Sequence, residues 1–112
     1  MQQITITENA QIEIINTKSE SFTGYINYNP SRQGWFLDLV SENFKIYGIR
    51  LTSVPNILRQ WKDRLGFGLC VITENSSEPF FLEDFNTGRA KLYLVEPDDL
   101  DLQDIIYGKI KV

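Results

Sequence analysis

A chain of 112 residues is the size of one domain, and 42% hydrophobic with 23% charged residues is ordinary globular composition. There is no histidine and only one cysteine, which removes the commonest general base and zinc ligand, any disulfide within the chain and every CxxC site. A formal net charge of −4 makes the chain a poor non-specific partner for nucleic acid or an anionic membrane.

The first residues carry no basic n-region or apolar run, so no targeting segment is expected, and no stretch is long enough to span a membrane. From there the dominant signal is period two. Gln3–Thr7, Gln11–Ile14 and Ser21–Tyr28 alternate polar with apolar, β-branched or aromatic residues and read as half-buried antiparallel strands. The polar run Asn16–Glu20 has hairpin-loop length, and Asn29-Pro30 marks the next turn. Gln33–Val40 and Phe44–Leu51 form the best-defined hairpin, reversing at Ser41-Glu42-Asn43. Trp35, Leu37 and Leu39 share one face and Phe36, Asp38 and Val40 the other. Both strands carry apolar groups on both faces, so the hairpin is expected to be central and covered on each side. Gly48 suggests a bend.

One short helix is expected near residues 55–63, with Thr52 or Ser53 as N-cap and Pro55 in the first turn. Ile57, Leu58 and Trp61 make its apolar stripe and Gly66 stops it. Gly68–Glu74 is a continuous apolar strand that buries Cys70 as a small hydrophobe. Phe80-Phe81-Leu82 is a short apolar piece between turns, Arg89–Glu96 alternates again, and Ile105–Val112 reads as a last strand. The sum is one mainly β domain over 1–112: a small antiparallel β-barrel or sandwich of seven or eight strands with one short helix.

The residues offer little chemistry. The acidic run Glu96, Asp98, Asp99, Asp101 and Asp104 lacks the glycine and spacing of a calcium loop, and reads as a solvated face. Asp38 with Glu42, or Glu83 with Asp84, could in principle pair as acid and base, but nothing in the spacing sets their pKa values apart. Gly66-Phe67-Gly68 precedes a strand, not a helix, and cannot cradle a phosphate. Tyr25, Tyr28, Trp35, Phe36, Tyr47 and Phe67 could stack on a single strand of nucleic acid, but the basic residues such a platform needs are few among them. No catalytic residue, cofactor or metal site is expected.

Four segments together point further: Gly34-Trp35-Phe36-Leu37-Asp38-Leu39; Ile46-Tyr47-Gly48-Ile49-Arg50-Leu51 followed by Pro55-Asn56-Ile57-Leu58; Leu65-Gly66-Phe67-Gly68-Leu69; and Ala90-Lys91-Leu92-Tyr93-Leu94. In that order and spacing the chain resembles the baseplate plug-like proteins of contractile-tailed bacteriophages, the cyanophage baseplate plug family, over about residues 22–95. The charged stretch Arg59–Arg64 is atypical, and the tail after Pro97 lies outside the match. The resemblance implies a non-enzymatic virion part in the tail baseplate hub, made in the host cytoplasm. It implies hub, tube-initiator or spike proteins as partners, several symmetric copies, and neither nucleic acid nor membrane as a partner. The alternative is a small OB-like β-barrel that binds a ligand or single-stranded nucleic acid. Strand-like termini suit extension of a neighbour's sheet. Together with exposed aromatic residues, which anchor interfaces, they make Ile4, Ile6, Tyr25, Tyr28, Phe80, Phe81, Tyr107, Ile110 and Val112 the expected contact residues.

Overall fold

The computed structural model describes residues 2–6, 8–74, 79, 81–97 and 99. Among them are seven strands: β1 (Gln2–Ile4), β2 (Ala10–Ile15), β3 (Ser21–Asn29), β4 (Gly34–Val40), β5 (Lys45–Arg50), β6 (Gly68–Thr73) and β7 (Ala90–Val95). All pairings are antiparallel. They make a three-stranded sheet in the order β1-β7-β6 and a four-stranded sheet in the order β2-β3-β4-β5. Among the described residues the arrangement is sandwich-like, two separate sheets with no closed barrel. The proposed last strand, 105–112, lies outside the described residues.

Alternation sets which side chains enter the core. In β3, Phe22, Gly24 and Ile26 are buried while Ser21, Tyr25 and Asn27 are exposed. In β4, Trp35, Leu37 and Leu39 are fully buried. They meet Leu69, Val71, Ala90 and Leu92 of the other sheet in one cluster, closed off by Leu51, Leu58, Leu65, Phe67 and Phe85. Aromatic rings lock it by edge-to-face contacts, Trp35 with Phe85 at 5.3 Å and Phe22 with Phe67 at 5.3 Å between centroids. Cys70 is buried as expected, and burial pushes its thiol above the ordinary range.

Gly48 does bend the hairpin. The register moves from Leu37↔Ile49 to Leu39↔Ile46, so Tyr47 and Gly48 stand opposite Asp38 alone. Gly48 takes the left-handed conformation, φ 69°, and its N–H donates to Asp38 Oδ1 at 2.7 Å.

Two expectations need correction. The hairpin is not covered throughout: β4 is central, but β5 is an edge strand, and Tyr47 is 66% exposed. Its apolar residues beyond the core-facing Ile46 and Ile49 are simply on the surface. The helix also begins later than expected. A 3-10 turn, Arg59–Trp61, leads into α1, Lys62–Leu65, which ends at Gly66 in the left-handed region. The preceding residues are claimed by β6 instead. Ile57 N donates to Leu69 O at 2.9 Å, and Asn56 Oδ1 accepts from both Leu58 N and Leu69 N at 2.9 and 3.1 Å. A side-chain amide that takes two backbone N–H groups competes with the helical pattern and holds the chain in an irregular loop. Trp61 still packs against the core, half-buried.

The helical segment is tied to the β2–β3 connection at two points. Asn16 Nδ2 donates to Leu65 O at 3.2 Å, and Arg64 pairs with both carboxylate oxygens of Glu20 at 2.7 and 2.9 Å. The hydrogen bonds from Arg64 lower the Glu20 pKa from its ordinary value.

Candidate interaction surface

The four-stranded sheet turns one face to the core and leaves the other outward. Cross-strand pairing lines up the outward residues in rows: Glu13 beside Thr23, Val40 and Lys45; Gln11 beside Tyr25 and Asp38; Asn27 beside Phe36 and Arg50. Alternation thus places Tyr25 and Tyr47 on the surface, with Ile15 at the β2 end. Phe36 also lies on this face, yet it is only 8% exposed. Two guanidinium groups cover its ring, with Arg32 Cζ 4.1 Å and Arg50 Cζ 5.3 Å from the centroid. Arg50 has a further role at the β3–β4 turn. Its Nη2 and Nη1 donate to Gln33 O at 2.6 Å and Arg32 O at 3.3 Å.

The carboxylates on this face are already engaged. Glu13 accepts from the hydroxyls of Thr23 and Ser21 at 2.9 and 3.3 Å, and Asp38 from Gly48 N–H. A cavity of about 370 Å³ lies beside Phe36, lined by Asn27, Tyr28, Arg32, Asp38 and Gly48 among others.

A second exposed region is the segment before β7. Phe81 is 62% exposed, and Leu82 is exposed beside it. The backbone there is fixed. Trp35 Nε1 donates to Phe81 O at 3.1 Å, and Asp84 binds Phe81 N at 2.8 Å and the Arg89 guanidinium at 2.7 and 2.8 Å. Burial alone would raise the Asp84 pKa, but these donors outweigh it and hold the carboxyl below its ordinary value. The β1 and β2 edges flank a third feature, a groove of about 340 Å³ that includes Gln2, Ile4, Ile12, Glu13 and Leu94.

The expected contact residues therefore separate. Tyr25 and Phe81 are exposed. Ile4 is half-buried at the groove, and Tyr28 is half-buried, edge-on to Trp35 at 5.5 Å. Ile6, at 4% exposure, belongs to the core. Phe80, Tyr107, Ile110 and Val112 lie outside the described residues. Of the aromatic residues that could have formed a stacking platform, Trp35 and Phe67 are in the core and Phe36 is covered, so only Tyr25 and Tyr47 are well exposed. Arg32 and Arg50 were missed in the sequence. The available signal was an arginine in β5 at the register position facing Phe36, which becomes readable only once the hairpin register is known.

Among the described residues, no group of three His, Cys, Asp or Glu side chains converges as a metal site would, and no helix is long and apolar enough to cross a membrane. Compared with known families, residues 1–97 match the model described as cyanophage baseplate Pam3 plug gp18. No curated protein matches the chain.

Proposed function

The chain belongs to the cyanophage baseplate plug family, and from that premise we propose that it is a structural subunit of the phage tail baseplate hub with no catalytic role. It contacts hub, tube-initiator or spike proteins, is present in several symmetric copies, and passes through the host cytoplasm before joining the tail. The family match over most of the chain carries this reading. The physical support is a two-layer body that leaves Tyr25, Tyr47, Ile15, Phe81 and Leu82 exposed, large side chains whose aromatic members are of the kind that anchors interfaces.

The contacts to neighbours involve the exposed aromatics Tyr25 and Phe81, with Tyr28 and Ile4 at their margins, and the terminal segment that carries Tyr107, Ile110 and Val112. In that segment Lys109 and Lys111 alternate with Ile110 and Val112. An alternating sequence of this kind can extend a neighbour's sheet through main-chain hydrogen bonds, while its lysines discourage indiscriminate pairing. Deleting 105–112 tests this part of the proposal. The expected result is a folded chain that no longer enters particles. Normal incorporation would overturn the role of the tail, and outright unfolding would make the segment a core strand instead.

A further inference from the structure

The edge of a sheet is a row of main-chain donors and acceptors, and the described strands leave edges at β1, β6, β2 and β5. The β6 edge is taken in part by the loop before the helix, where Ile57 N donates to Leu69 O at 2.9 Å, and β1 is only three residues long. The edges of the four-stranded sheet, β2 and β5, are longer.

The hydrogen-bond pattern tells which groups on those edges face out. Asn16 N donates to Glu20 O at 3.0 Å just past β2. By alternation Ile14, Ile12 and Ala10 turn their main chain to β3, and Ile15, Glu13 and Gln11 turn theirs outward. Ser41 N donates to Phe44 O at 2.6 Å just before β5, so Phe44 and Ile46 face β4 while Lys45 and Tyr47 face out. Among the described residues, no hydrogen bond reaches these outward main-chain groups.

The two edges are complementary in charge. Glu13 and Lys45, both exposed, stand at opposite ends of one cross-strand row, Glu13, Thr23, Val40, Lys45. Among the described residues Lys45 makes no ion pair, and Glu13 accepts from the Thr23 and Ser21 hydroxyls. β2 contains no basic residue and β5 no acidic one, so neither edge finds an opposite charge on its own counterpart. The sheet has four antiparallel strands, so β2 and β5 run in opposite directions. Two copies in the same orientation therefore meet β5 to β2 as an antiparallel pair.

We propose that copies of this chain join head to tail, the β5 edge of one on the β2 edge of the next, with Lys45 opposite Glu13. The proposal rests on the multi-copy reading above and supplies its contact. In this register Lys45 with Glu13, and Tyr47 with Gln11, meet through their outward main-chain groups. On the core side Ile46 falls opposite Ile12 and Phe44 opposite Ile14, all apolar. Ile12 and Ile14 also line the groove that holds Ile4 and Leu94, which gives Ile46 of the neighbour an apolar seat. A slip of two residues sets Lys45 against Gln11 or Ile15 and loses the charge pair. The contact is heterologous, the kind that builds rings when its rotation closes.

Sedimentation equilibrium on the full chain tests the proposal by charge reversal. The unmodified chain is expected to self-associate with rising concentration, more weakly at high salt. Glu13→Lys and Lys45→Glu should each associate at least about tenfold more weakly. The double variant, with both charges exchanged, should recover association, and so should an equimolar mixture of the two single variants. Glu13→Gln, which keeps an acceptor for the Ser21 and Thr23 hydroxyls, replaces Glu13→Lys if circular dichroism shows that variant unfolded; it too should weaken association. The proposal is overturned if the unmodified chain stays monomeric up to about 1 mM. It is equally overturned if only one of the two positions matters, as a symmetric β2–β2 or β5–β5 pair would require, or if the folded double variant associates no better than the single ones. Incorporation into particles is a separate readout: a chain that enters tails yet stays monomeric in this assay overturns the contact and not the baseplate role.

Discussion

Gly68→Ala should destabilise the chain through a residue twelve positions away. A Cβ on Gly68 would collide with the Oδ1, Cγ and Nδ2 atoms of Asn56. Asn56 is buried, and its Oδ1 is the acceptor for the N–H groups of Leu58 and Leu69. To admit the methyl group, the amide must swing away and leave both N–H groups without an acceptor. Each orphaned donor costs about 1–3 kcal/mol, so Gly68→Ala and Asn56→Ala should each cost about 2–5 kcal/mol. The Asn56→Ala value should lie toward the lower end, because Asn56 Nδ2 is itself buried with no hydrogen bond and its removal relieves that penalty. Once Asn56 is alanine the added methyl meets no amide, so the double variant should cost little more than Asn56→Ala alone. Urea denaturation of the two single variants and the double variant gives the coupling directly, expected to equal nearly the whole cost of Gly68→Ala, about 2–5 kcal/mol of non-additivity. Additive losses would refute the claim that Gly68 is required for the close approach of Asn56.

Two further outcomes follow from the core and from the Asp84 clamp. Trp35→Ala should cost about 3–5 kcal/mol, since it empties a fully buried site and removes the Nε1 hydrogen bond to the Phe81 carbonyl, whereas Trp61→Ala, at a half-buried position, should cost only about 1–2 kcal/mol; denaturation midpoints that rank the two alike would contradict this. Because the native Asp84 pKa is depressed, its contribution is present above the unfolded carboxyl pKa and is lost as pH falls through the lower native value. Melting temperatures should therefore drop below about pH 4, and Asp84→Asn should flatten that part of the profile by removing the group.

The strands were legible in the sequence because each carries its own period: Trp35, Leu37 and Leu39 announce the core face of β4 without reference to any other part of the chain. Gly48 announced the bend for a similar local reason. What was not legible depends on partners distant in sequence. Pro55 and the Ile57–Leu58–Trp61 spacing suggested an earlier helix start, but Asn56 binds Leu69, thirteen residues on, and delays it. Apolar residues on both sides of Phe44–Leu51 suggested a covered strand, yet strand order, which no local pattern encodes, puts β5 at an edge. The candidate surface shows the same division. Tyr25 and Phe81 are exposed while Ile6 is buried; alternation alone does not say which face of a terminal segment turns inward. The Arg32–Phe36–Arg50 stack joins residues from the β3–β4 turn, β4 and β5, and no spacing rule brings them together.

The central claim is that this chain is a built-in part of the tail baseplate. Quantitative mass spectrometry of purified tails, from phage carrying the gene and from phage lacking it, tests that claim most directly. The account predicts the chain at a fixed ratio to the hub proteins in intact tails, and baseplates that fail to complete without it. Its absence from purified tails, or normal infectious particles without the gene, would contradict the account.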